Sequence, residues 1–383
     1  MITKYSVNQH WDPLKVCAVG KSYAPEFYSW ITNSKARTVM ERIAEETEED
    51  YQKVIALLKS FDIEIHRPYV STDYKNYLDY NGKIVPPPMV PRDYTAMIGN
   101  RFFYNFHDLM IKWDVIKGES WGDRPESPKD IPQWILDEAF NQFGISDPGS
   151  HHFGWKGILD SLEDKCELVK EKNTVNGAFT TRIGKDLYHG TNDKRDDFKP
   201  ILSERQALFP DHRNHIVNSG GHSDGIFCPV KPGLILSLRD VQTYSETFPG
   251  WEVVYLPEQS WGKIPEFLNL KDKNEGKWWV PGEETNDEFT DYVNEWMGHW
   301  VGYVEETVFD VNVLVINEQN VVVNNYNKEV FEAFDRHGIT PHIINFRHRY
   351  FWDGGLHCIT SDLNRIGEQK DYFPNRGNQQ IEI

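Results

Sequence analysis

The feature that most constrains this chain is a recurring hairpin. Two short apolar runs flank a turn-competent centre at "TAMIGNRFFYNF" (95–106), "TRIGKDLYHG" (181–190), "IFCPVKPGLILSL" (226–238) and "VNVLVINEQNVVVNN" (311–325). "KVCAVGKSYAPEF" (15–27) serves as a first, less regular member. Helical periodicity and a lone strand follow several of them. After the last, "NKEVFEAFDRHG" reads as a helix with Gly338 just beyond its end, and "ITPHIINF" as a strand. After the first comes the long amphipathic "ARTVMERIAEETEEDYQKVIALLKSF", then "DIEIHRP". Five such units predict a radial α/β array with approximate fivefold symmetry, each burying its faces against its neighbours. The alternative is an α+β domain without true repeats. The segment 107–170 breaks the rhythm and reads as an insertion in a single domain spanning 1–383.

Charge and cysteine usage narrow the function. A net charge of -18 opposes nucleic-acid binding, whose phosphates need a basic face, and suits a cationic small substrate or simply a solvated surface. No apolar run approaches a membrane span, and "MITKYSVNQHWDPLKV" lacks signal or transit character, so a soluble, cytoplasmic protein is expected. Cys17, Cys166, Cys228 and Cys358 form no CxxC pair, which argues against zinc and disulfides and leaves at most one thiol of interest. His151, His152, His212, His215 and His222 likewise lack metal-ligand spacing, and no metal or cofactor is expected.

That thiol stands in "DGGLHC" (353–358). Paired glycines are poor choices inside regular structure and point to a backbone that something approaches closely, although a glycine turn before a buried, inert thiol explains them too. In an extended segment His357 and Cys358 would face opposite ways, so a partner for the sulfur is sought elsewhere. "NSGGHSDG" (218–225) offers His222 and Asp224, two apart and therefore expected on one face. Asp93, in "VPRDYTAMIGN", holds the same place before the second hairpin, where a turn role is the plainer explanation. A planar guanidinium is well held by carboxylates, a thiolate attacks its central carbon, and a histidine supplies the leaving amine's proton.

These segments resemble the L-arginine:glycine amidinotransferase family of the pentein superfamily. "NQHWDPLKVCAVG" (8–20) is similar to that family's opening, "VPRD" to its first substrate-aspartate motif, "GGHSDGIFCPVKPGLILS" to its His–x–Asp hairpin and "DGGLHCITSDLNR" to its nucleophile motif. The resemblance runs along nearly the whole chain and is poorest at 107–170. It implies a five-bladed ββαβ propeller, with Cys358 as nucleophile, His222 as general acid/base, and Asp93 and Asp224 as guanidinium ligands. It also places Arg239 near a substrate-carboxylate site. Asn176, in "TVNGAFTTRIGKD", stands where the family keeps a carboxylate that orients the histidine, so a less readily protonated His222 is expected. Glu305 and Glu306 stand where vertebrate members carry small hydroxyl residues, and would favour an acceptor more cationic than glycine unless they are merely solvated. The implied partners are L-arginine and an acceptor amine, neither nucleic acid nor membrane, with a homodimer open to it. A deiminase that admits water, and a non-catalytic guanidino-compound binder, are the competing readings.

Overall fold

The computed structural model describes residues 4–77, 83–104, 134, 154–170, 175–191, 198–217, 219, 222–238, 244–256, 280–283, 285–298, 300–301 and 310–376. Among them lie five three-stranded sheets of one design. An entry strand pairs antiparallel with a central strand, a helix follows, and the third strand returns parallel to the central one. The first sheet's central and third strands are β1 (Leu14–Val19) and β2 (Glu64–His66). The second sheet comprises β3 (Thr95–Ile98), β4 (Arg101–Tyr104) and β5 (Glu167–Lys170). In the third, β6 (Thr180–Ile183) and β7 (Asp186–Gly190) are joined by β8 (Arg213–Val217). In the fourth, β9 (Phe227–Lys231) and β10 (Leu234–Ser237) are joined by β11 (Glu252–Tyr255). The fifth is β12 (Leu314–Asn317), β13 (Asn320–Val323) and β14 (Thr340–Ile343).

The expected first hairpin does not form. The strand antiparallel to β1 is β15 (Thr360–Arg365), with Leu14 opposite Arg365 and Val19 opposite Thr360. After Val19 the chain leaves the sheet for the short 3-10 turn Pro25–Tyr28, whose Phe27 and Tyr28 are fully buried. The proposed insertion also ends earlier than expected. Lys156–Leu162 is helix and β5 pairs in register with β4, from Arg101 opposite Glu167 to Tyr104 opposite Lys170, so this stretch is an ordinary part of the second unit. Residues 105–133 and 135–153 lie outside those described.

The local chemistry accounts for the elements. Strands such as β3 and β10 are buried at every position, the pattern of a sheet covered on both faces, and this is why their sequences run apolar without alternating. Pro229 is tolerated because β9 pairs on one side only. The helix Ser34–Ser60 starts at Asn33, whose Oδ1 accepts from the N–H groups of Lys35 and Ala36. It buries Val39, Met40, Ile43, Tyr51, Val54, Ile55 and Leu58, a stripe at helical spacing. The helix Lys328–Arg336 ends as expected: Gly338 has φ +65°, its N–H donates to Asp335 O, and the Ile339 N–H donates to Phe334 O. No described helix is long and apolar enough to cross a membrane.

Charge is concentrated where the units meet. Asp362 of β15 receives the guanidinium groups of Arg92 at 3.0 Å, Arg182 at 2.8 Å and Arg365 at 2.8 Å, and all four residues are buried. Burial alone would raise the Asp362 pKa, but Arg182, Arg92 and Arg365 together hold it well below the usual carboxylate range. The same guanidiniums reach on to backbone carbonyls, Arg182 to Met97 of β3 and Arg365 to Asp12 and Val315 of β12.

Candidate active site

Each unit carries a polar or nucleophilic residue a few positions before its entry strand. Asp93 ends the 3-10 turn Pro91–Asp93 ahead of β3. Asn176 opens the turn ahead of β6, and Asp224 lies in the 3-10 turn Ser223–Gly225 ahead of β9. Asn312 precedes β12 and Cys358 precedes β15.

Around Cys358 the side chains converge closely. Residues 356–359 form a turn, with the Ile359 N–H donating to Gly355 O, so the alternation expected of an extended segment does not hold. His357 and Cys358 can therefore face one group. The Cys358 sulfur is 3.9 Å from Asp224 Oδ2, and His357 Nδ1 is 2.6 Å from the same oxygen. Burial, with Arg92 and His10 nearby, pulls the His357 pKa well below its usual value, and Nδ1 is the ring nitrogen that faces the carboxylate. From the other side Asn312 Nδ2 donates to the sulfur at 3.1 Å, while its Oδ1 accepts from the N–H groups of His357 at 2.8 Å and Cys358 at 3.3 Å. Arg92 Nε donates to His357 O at 2.8 Å, tying this turn to the charged cluster. The glycines are explained by space: a Cβ on Gly355 would stand 2.4 Å from Asn312 Oδ1. Of the other three thiols, burial pushes Cys17 and Cys228 up to about 12 and Cys166 up to about 11.

No family model matches the chain. Curated relatives do. The mitochondrial glycine amidinotransferase of Xenopus tropicalis is 24% identical over 409 residues, covering 95% of this chain and 83% of its own length. Among solved structures, inosamine-phosphate amidinotransferase from Streptomyces griseus superposes with a TM-score of 0.61 at 16% identity, covering 97% of this chain and 99% of that one. An amidinotransferase of the saxitoxin biosynthetic pathway from Microseira wollei gives 0.61 at 16% identity, with 96% and 99% covered. The chain shares its fold with these amidinotransferases and is similar in sequence to glycine amidinotransferases along nearly its whole length.

The residues expected at the site from the resemblance fare differently. Cys358 and Asp224 come together, as described. His222 is the N-cap of the Ser223–Gly225 turn and is partly buried, with its ring edge-on to Phe179 at 4.7 Å. Asp93 is partly buried in its own turn. Asn176 requires a correction. Its Oδ1 accepts from the N–H groups of Ala178 and Phe179, and its Nδ2 donates to Asp93 O at 2.8 Å. Both lone pairs of Oδ1 are taken, so it cannot also accept from a His222 ring N–H, and its work is to fasten two turns together. Arg239, Glu305 and Glu306 lie outside the described residues.

His357 and Asn312 were not singled out by the sequence as members of this site, and His357 was set aside. The missed signal for Asn312 was its place in the repeat: it stands before β12 as Asp93 stands before β3.

Proposed function

We infer that this chain is an amidinotransferase that moves the amidino group of L-arginine to an acceptor amine through an S-amidino-cysteine on Cys358. The observation that carries this reading is the 3.9 Å separation of the Cys358 sulfur from the Asp224 carboxylate. A guanidinium held edge-on by that carboxylate brings its central carbon to the sulfur. Asp93 is read as the second carboxylate of the clamp. The Cys358 thiolate forms a C–S bond to the guanidinium carbon. The C–N bond to the ornithine nitrogen then breaks, and His222 gives that nitrogen its proton. In the second half the acceptor amine attacks the same carbon, the C–S bond breaks, the thiolate returns and His222 takes up the amine's proton. Arg239, Glu305 and Glu306 are proposed substrate contacts, the two glutamates favouring a diamine or dibasic amino acid over glycine.

We also read the five sheets as blades of one closed propeller in a single domain. Completion of the first sheet by β15 and the reach of the Asp362 cluster into β3 and β12 support this closure.

The test is the intact mass after incubation with arginine. Wild type should gain one amidino group, Cys358→Ala should gain none and lose turnover, and Cys228→Ala should behave as wild type. Ornithine formed only when an amine is supplied supports transfer. Citrulline released from arginine alone would make the protein a deiminase, and an unmodified wild-type protein would make it a binder. Within a panel of amines, equal or better use of glycine removes the role given to Glu305 and Glu306.

A further inference from the structure

We propose that Asn312 sets the reactivity of Cys358, its carboxamide N–H holding the sulfur as thiolate while its carbonyl oxygen fixes the backbone that carries that sulfur. The proposal deepens the amidino-transfer reading of this site and rests on it for its purpose. A carboxamide has an accepting end and a donating end, and here the network decides which points where. Oδ1 faces the N–H groups of His357 and Cys358, an arrangement that a flipped NH₂ could not make, so Nδ2 faces the sulfur at 3.1 Å. A neutral thiol is a poor acceptor and an anion a strong one, so an N–H aimed at sulfur stabilises the ionised form more.

The other groups around the sulfur make this contact matter. The Asp224 carboxylate at 3.9 Å disfavours a second negative charge beside it. His357 is bonded to Asp224, and burial pulls its pKa well below the usual imidazole value. Tyr51 is fully buried, feels the charge of Cys358 and keeps its proton, since burial raises its pKa well above the usual value. Arg92 meets this turn through its backbone N–H to Cys358 O at 3.4 Å and its guanidinium to His357 O. Gly355 completes the case, because any side chain there would occupy the space of Asn312 Oδ1.

The experiment follows alkylation of the Cys358 peptide by iodoacetamide as a function of pH, read by mass spectrometry. Asn312→Asp keeps acceptors for the two backbone N–H groups, removes the donor to sulfur and adds a like charge. Its alkylation midpoint should rise by about one to two pH units, which makes alkylation below the midpoint roughly 10- to 100-fold slower. Gly355→Ala, which crowds Asn312 from the other side, should move the midpoint in the same direction and serves if Asn312→Asp does not fold. A midpoint that stays at the wild-type value in a folded variant, even with a lowered melting temperature, overturns the proposal, because a merely structural Asn312 would give that result. Alkylation needs no arginine. A shifted midpoint in a protein that takes no mass from arginine would therefore sink the transfer reading and leave this one standing.

Discussion

Asp224 serves two neighbours at once, accepting from His357 Nδ1 and lying beside the Cys358 sulfur. Removing the His357 donor leaves a buried carboxylate short of one bond, worth about 1–3 kcal/mol. His357→Phe should therefore raise KM for arginine roughly tenfold or more with a smaller effect on kcat, measured by steady-state kinetics. The reverse pattern, kcat abolished and KM unchanged, would make His357 the proton donor and displace His222. The site was half legible at this scale. Cys358 and Asp224 announce themselves because thiols and carboxylates flanked by glycines are chemically conspicuous. Asn312 does not, since a neutral amide before a strand looks like any turn residue until the repeat is laid out. His357 was excluded by a rule for extended chains, and the turn at 356–359 removes the rule's premise.

Single turns hold the site at the scale of elements. Asn176 clamps its own turn through two backbone N–H groups and pins the turn of Asp93 through the carbonyl. Asn176→Asp keeps the two accepted bonds and loses the donated one, so thermal unfolding should show a loss of about 1 kcal/mol. The alkaline limb of the pH–rate profile should stay where it is, since both lone pairs of the Asn176 amide oxygen are already taken by backbone N–H groups. A limb that moves upward would restore Asn176 as the residue that orients His222. The hairpins β3–β4, β6–β7, β9–β10 and β12–β13 were readable because their pairing is local and their turns carry Gly, Pro or Asn. The β1–β15 pair was not, because no local signal marks partners separated by most of the chain.

Across the molecule, one buried carboxylate is shared by three guanidiniums. Asp362→Asn would leave Arg92, Arg182 and Arg365 buried without it and should cost about 3–5 kcal/mol at neutral pH, measured by denaturant unfolding. Because the folded pKa of Asp362 is depressed, its stabilisation is fully present above the ordinary carboxylate range and is lost as pH falls through and below it. The variant's unfolding free energy should accordingly be flatter than that of wild type below about pH 4. A variant as stable as wild type at neutral pH would show that the cluster does not hold the sheets together. The first sheet has a consequence of another kind. Its central strand, β1, is made long before its antiparallel partner β15, which follows Cys358 by only two positions. A growing chain on the ribosome therefore keeps β1 half-zipped, and carries no thiol at the site, until the 360s have left the exit tunnel. Closure of the sheet and arrival of Cys358 become one late event, and a nascent chain cut short before it has neither.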